Sequence, residues 1–283
     1  WRANSGTNLF LTAIGDPSTR DIVGNPFWAP FVPPASLTNP DPFLGYWNQG
    51  GVAVALRGSH HVGAGQLESA LSQTITWQQN GARTALGKTE PLFSDDLTKA
   101  WSGGYGNRWD RTSTRLAASV SGNWVWGDHL LKVGAQYEDN RLRESWQWSS
   151  NGPDSAGWLE RVNTNLYITL PLDFQTTVHN RVLSLFLQGS YLATPWLRLN
   201  PGIRWDGQFF SGPHGRSGLI TDQLQPRVGI VLYPGGSASQ KVTASYGRFY
   251  EQVPNLTASF FWGGLYQNFP YYPQDPRVDT TGR

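Results

Sequence analysis

The side chains able to do chemistry are few, and their spacing argues against catalysis. The chain has 283 residues and no Cys, so thiolate nucleophiles, thiolate metal sites and disulfides are excluded. Its five histidines are His60, His61, His129, His179 and His214. On a strand, His60 and His61 point to opposite faces. No convergent ligand spacing accompanies any of the five, and His129, just after a turn, reads as structural. Asp95 and Asp96 could hold a cation in a loop, but solvation accounts for them as simply. The glycine runs GGYG (103–106) and PGGS (234–237) lack the strand-to-helix context of a phosphate loop. No Ser sits in a G-x-S-x-G elbow. The sequence therefore predicts no enzyme, no bound metal and no cofactor.

Composition narrows the class. There are 32 Gly and 19 Pro; aromatic residues make up 13% and charged residues only 15%, against about 25% charged in a typical soluble domain. That combination excludes a coiled coil, a helical repeat and a charged disordered tail. A net charge of +2 gives no electrostatic case for nucleic acid. There is no Met, not even at position 1. The chain reads as an internal fragment, so the missing signal peptide says nothing about export. No window of 18 consecutive apolar residues exists, which excludes a transmembrane helix. The mean hydropathy of -0.42 does not exclude membrane strands, which hide an apolar face by alternation.

That alternation is what must position any functional side chain. Residues 1–50 are rich in Pro, Asn and Gly and predict an irregular outer loop. From Val52, apolar residues fall on every second position: Val52, Val54 and Leu56, then Leu67, Leu71, Ile75 and Trp77. Leu116, Ala118, Val120, Gly122 and Trp124 share one face. After a turn at 126–128, so do Leu131, Val133, Ala135 and Tyr137. Leu183, Leu185, Leu187 and Tyr191 follow, with Phe186 out of place on the polar side. Leu197, Leu199, Ile203, Trp205 and Phe209 oppose Arg198, Asn200, Arg204, Asp206 and Gln208. Val228, Ile230 and Leu232 come next, then Val242, Ala244 and Tyr246. No helical period survives, so the chain is predicted all β with about eight long strands.

Three features favour a membrane wall. Alternation over ten or more residues matches the roughly 9 to 11 needed to cross a bilayer at a tilt. Short turns near 60–65, 126–128, 193–195 and 234–238 alternate with longer connections at 79–109, 149–181 and 210–222. Parity then keeps 149–181 outside as one excursion, with any strand at 158–170 in an outer hairpin. Aromatic residues flank both ends: Trp124, Trp126, Tyr191, Trp196 and Tyr233 by the short turns, and Trp146, Trp148, Phe209, Phe210 and Tyr250 by the long ones, as two interfacial girdles require. A soluble sandwich or propeller also uses a period of two, and on pattern alone it stays open.

RVLSLFLQGSYLATPWLRLNPGIRWD at 181–206, QPRVGIVLYPGGSASQKVTASYGRFY at 225–250 and GDHLLKVGAQYE at 127–138 carry a resemblance. In order and spacing they resemble the β-barrel of TonB-dependent outer-membrane receptors, nearest the Oar-like branch, over about residues 111–251. The resemblance implies a single-chain antiparallel up-and-down transmembrane barrel, usually of 22 strands, with an N-terminal plug in its bore. It implies residence in the outer membrane of a Gram-negative-type bacterium. It also implies uptake of a scarce ligand, driven by a TonB-type inner-membrane complex. On that reading residues 51–251 are a curved open sheet, part of a barrel whose plug is not in this chain, and 252–283 form a further outer loop. A passive porin-type channel and a soluble carbohydrate-binding β protein are the competing functions.

The polar strand faces supply the site candidates. Arg115, Lys132, Glu138, Arg198, Arg204, Asp206 and Arg227 are expected to face the lumen, because Arg or Lys turned to lipid at the midplane costs about 2 to 4 kcal/mol each. Loop aromatics Trp101, Tyr105, Trp109, Phe261, Trp262 and Tyr266 could stack on a sugar or flat ligand, or equally serve as packing or rim anchors.

Overall fold

The computed structural model describes residues 2–4, 6–24, 39–148, 157–169, 174–236, 240–262 and 271–276. In chain order its elements are β1 (Arg2–Asn4), β2 (Thr7–Gly15), β3 (Ser18–Val23), β4 (Leu44–Val62), β5 (Gly65–Ala82), α1 (Ala85–Thr89), β6 (Leu92–Asp95) and β7 (Ala100–Gly103). Then come β8 (Asn107–Trp126), β9 (His129–Trp148), β10 (Trp158–Asn163), β11 (Leu166–Thr169), β12 (Phe174–Thr194), β13 (Leu197–Ser211), β14 (Ser217–Leu232), β15 (Val242–Gly247), α2 (Asn255–Trp262) and β16 (Tyr271–Tyr272).

The long strands form one antiparallel sheet in the order β1-β2-β4-β5-β8-β9-β12-β13-β14-β15, with β3 also on β4. Neighbours in this sheet are neighbours in sequence once the outer connections are set aside, as in an up-and-down wall. Among the described residues the sheet is open: its two ends do not pair with each other. At 18 to 21 residues, β5, β8, β9 and β12 are longer than a bilayer crossing needs, so they continue beyond it.

The predicted period of two is realised in the sheet from β4 to β15. Ala118 pairs with Tyr137, Tyr137 with Leu183, and Leu185 with Trp205, all on one face. That face stays bare: Leu71 is 50% exposed, Leu185 48% and Val228 41%. No second layer of sheet or helix covers these rows among the described residues. A soluble sandwich buries such rows, and soluble monomers rarely leave contiguous apolar area of this extent. Phe186, the exception on the polar side, lies across Gly134, its partner on β9. A Cβ at Gly134 would collide with the ring, so the glycine makes the space the ring fills.

Four expectations need correction. The first is residues 1–50, which are not one irregular loop. Pairing with β4 stays in step from Thr7↔His60 through Val23↔Leu44, so β2 and β3 are one wall strand interrupted at Asp16–Pro17. Pro17 cannot donate to a ladder, and Asp16 bridges the gap by accepting from the Gly51 N–H at 2.8 Å. The pattern was hidden because Leu9 and Leu11 lie on one face while Phe10 and Ile14 lie on the other.

The second concerns the connections at 79–109 and 149–181, which are partly strand. β6, β7, β10, β11 and β16 build a separate small sheet in the order β16-β11-β10-β6-β7. The hairpin β10–β11 thus lies in this second sheet and not in the wall. Its core is Phe43, Leu92, Trp148 and Trp158, with Trp101 against it. Third, the connection expected at 210–222 shrinks to 212–216, because β13 and β14 run on to pair Ser211 with Ser217. Fourth, residues 252–262 are not simply outer loop: α2 packs on β12 and β9, on the polar face of the wall.

The outer aromatic girdle also differs. Trp148 and Phe210 are buried on the polar side, as even-numbered positions of β9 and β13 must be. Phe209 remains on the bare face, while Trp124, Trp126, Tyr191 and Trp196 are exposed at the short-turn end.

Candidate functional site

The polar face of the wall gathers the groups able to bind a ligand. Its middle is a network centred on Arg204. The guanidinium donates to both carboxylate oxygens of Asp206 at 2.8 and 3.1 Å, to Gln136 Oε1 at 3.0 Å and to Ser184 Oγ at 2.8 Å. Gln225 Nε2 also donates to Asp206. Strands β9, β12, β13 and β14 are tied through one ion pair, each contributing the alternate residue that faces inward. A partly buried pair with its remaining lone pairs filled is stable where a lone charge would not be.

Farther toward the long connections, Glu144 is 3% exposed and accepts three bonds: from Trp109 Nε1 at 2.9 Å, Trp146 Nε1 at 3.1 Å and Arg111 at 2.6 Å. The Arg111 guanidinium stands 4.5 Å from the Trp109 ring centroid. Trp47 packs on Trp109 at 6.1 Å. Asn80, fully buried, accepts from the Trp109 backbone N–H.

Between these clusters lies a ladder of amides. Gln208 Nε2 donates to Gln223 at 3.0 Å, and Asn180 Nδ2 to Gln208 at 3.2 Å. The segment leading into α2 docks onto that ladder. The Val253 N–H donates to Gln208 Oε1 at 3.0 Å, its carbonyl accepts from Asn180, and Asn255 Nδ2 donates to the Asn140 carbonyl at 2.8 Å. Behind it Ala258 closes on Val178 and Phe210. Two clefts flank Asn255. One, of about 620 Å³, is lined by Gln49, Gln78, Arg111 and Ser113; the other, of about 450 Å³, by Thr74, Arg115, Glu138 and Asn180. Their lining is rich in donors and acceptors. It suits binding of a polar molecule by hydrogen bonds.

The sequence-derived wall residues fall as follows. Arg115 pairs with Glu138 at 2.6 Å, though the arginine is more than half exposed. Lys132 stands between Asn123 and Gln188 on the polar face. Arg198 is tied to the short-turn end, donating to the Asp128 carbonyl and Ser190 Oγ. Arg227 lies 4.6 Å from the Phe249 ring centroid. Among the aromatics, Tyr105 is 1% and Trp109 2% exposed, and Trp101 stacks on Trp158. Phe261 and Trp262 fall in α2, with side chains outside the described residues, and Tyr266 is also outside them. Sequence reasoning did not single out Glu144, Asn180, Gln208 or Asn255. The first three sit at inward positions of the alternation, a signal shared by every polar residue on those strands.

Outside the spans, the small sheet carries the shifted carboxyls. Burial works to raise Asp95, but N–H donors from Leu97 and Thr98 and the Arg161 guanidinium overcome it and hold the group below its ordinary value. Glu160 is pushed up by burial and by nearby Asp96, with Lys99 opposing. Burial, with Tyr46 close by, raises the Tyr105 phenol.

No protein-family model matches the chain. It is 39% identical over 207 residues to the TonB-dependent transporter Oar of Myxococcus xanthus, a stretch covering 65% of this chain and 19% of that protein. The chain thus spans about a fifth of the length of the curated relative it matches. In fold it is similar to the ferripyoverdine receptor of the Pseudomonas aeruginosa outer membrane, with a TM-score of 0.54 at 14% identity, covering 87% of this chain and 34% of that one. The same receptor bound to heterologous pyoverdines gives 0.51 at 12% identity, covering 82% and 32%. The order of the wall strands, the bare apolar face and these likenesses agree: the chain has the fold of an outer-membrane β-barrel wall and is similar in sequence to part of a TonB-dependent transporter.

Proposed function

We propose that this chain is part of the wall of a receptor that takes up a ligand through the outer membrane, dependent on a TonB-type inner-membrane complex. In this reading further strands close the barrel, a plug domain of the same protein fills the bore, and the polar face touches plug and ligand. The small sheet and the connections beside it stand above the outer leaflet, and residues 51–251 carry most of the wall. The observation that carries the reading is the pairing of a bare apolar face with a polar face on which Arg111–Glu144, Arg115–Glu138 and Arg204–Asp206 are ion-paired. Lipid satisfies the first and a wet, plugged interior the second. The sheet's two unpaired edges support closure by further strands, since unpaired backbone is not tolerated in hydrocarbon. The ligand is a small or oligomeric polar molecule, and the role is transport with no catalytic step.

Planar-bilayer recording of the full-length protein in potassium chloride tests this. A plugged receptor gives no steady open-channel current, whereas steady conductance without an energised partner identifies a passive porin. A product that is monodisperse without detergent overturns the membrane reading in favour of a soluble binding protein.

A further inference from the structure

On the long strands from β4 to β13, charge on the outward, apolar face is confined to one place. On β4, β5, β8, β9, β12 and β13, Asp, Glu, Lys or Arg occupies that face at six described positions. These are Arg108 and Asp110 on β8, Asp139, Arg141 and Arg143 on β9, and Arg181 on β12. All six lie on adjacent strands at the end with the long connections. The register puts them just past the apolar rows: Tyr137 still pairs between Ala118 and Leu183, Asp139 lies between Leu116 and Arg181, and Arg141 and Arg143 follow. At the short-turn end the same face offers Trp124, Trp126 and Tyr191 but no Arg or Lys.

Both acids of the group are engaged. Asp110 pairs with Arg108 at 2.8 Å, and Asp139 lies 3.6 Å from Arg181 and from His179. Arg141 and Arg143 are exposed and have no ion-pair partner among the described residues. Two residues apart on one strand face, they stand about 7 Å from each other. An unpaired guanidinium on a lipid-facing strand is costly at the midplane and nearly free at the interface, so these positions mark the rim of the bilayer. There the available partner is an anionic headgroup, and arginine's planar fork suits phosphate oxygens.

We propose that Arg141 and Arg143, with Arg181 beside them, form a binding site for the phosphate-bearing headgroup of an outer-leaflet lipid. The proposal rests on the membrane reading above and adds a specific ligand to the outer surface of the wall. The experiment is a titration of the detergent-solubilised full-length protein with bisphosphorylated lipid A, dephosphorylated lipid A and inorganic phosphate. The wild type is expected to bind the bisphosphorylated lipid tightly and the other two weakly. Arg141→Gln/Arg143→Gln is expected to bind it roughly 30-fold less tightly, at about 1 kcal/mol for each arginine near an anionic surface. If that double variant fails to fold, each single variant carries the test with a loss of roughly fivefold. Unchanged affinity in the variants overturns the proposal. So does equal binding of dephosphorylated lipid A, or inorganic phosphate bound as tightly as lipid. A wild type that never enters micelles fails the barrel reading itself; one that enters them but shows no phosphate preference fails only this inference.

Discussion

The wall and the small outer sheet are both made of alternating strands, yet they dispose of their apolar residues in opposite ways. In the wall, Leu71 and Leu185 stand bare on one face while the opposite face is hydrogen-bonded. In the outer sheet, Leu159 is 0% exposed and Leu92, Trp158 and Tyr167 are buried. The outer sheet buries its apolar residues against Phe43 and the end of β9 at Trp148, and needs no other solvent than water. Among the described residues the wall has no protein partner for its apolar face, which suits hydrocarbon. A period of two therefore specifies a two-faced strand, while the surroundings decide what each face meets.

Three substitutions and a pH titration would break or sharpen that contrast. The largest effect belongs to the polar face. Glu144→Ala removes the acceptor of three donors and leaves Arg111 without its counter-ion, so a loss of about 4 kcal/mol is expected. Denaturant unfolding in micelles, followed by tryptophan fluorescence, would show it.

A paired test comes next. Leu159→Ala opens a cavity in the outer sheet and is expected to cost about 3 kcal/mol, read as protease nicking of the connections with the wall intact. Leu185→Arg is expected to cost about 3 kcal/mol in a bilayer if that side chain meets lipid. The same change on a water-exposed surface would leave stability nearly unaltered. Folding equilibria in lipid vesicles distinguish the two, and a neutral Leu185→Arg would break the contrast.

The smallest effect is the pH response of the outer sheet. The folded value of Asp95 is depressed, so its contribution is complete above the ordinary value of 3.8 and is lost as pH falls through the lower folded one. Glu160 is raised, so its penalty applies above its folded value and disappears as pH falls toward 4.5 and below. Hydrogen exchange of β6 and β10 is expected to rise at the acid end in the wild type and to change less in Asp95→Asn.

How much of this was legible varies with the kind of signal. The runs at 115–124, 131–137 and 197–209 showed their faces because apolar and polar residues alternate almost without exception. The wall strand at Thr7–Val23 was not legible, since Leu9, Phe10, Leu11 and Ile14 fill both faces and Pro17 imitates a loop. Trp146 and Trp148 looked like girdle residues, but their even numbering on β9 turns them inward. Within the site, the alternation places Arg204 and Asp206 on one strand face, but that they pair with each other is seen only in the structure. The convergence of Trp109, Arg111 and Trp146 on Glu144 depends on the β8–β9 register, which composition does not reveal.

Backbone sterics place successive side chains on opposite sides of a strand, so the all-β class, the two-faced wall and its inward charges could be derived from residue order alone. The seat of α2 on the Asn180–Gln208 ladder, the assembly of distant connections into a second sheet, and the two unpartnered arginines at the rim could not. Each depends on groups far apart in the chain meeting at one height of the wall, and only long-range strand pairing sets that height.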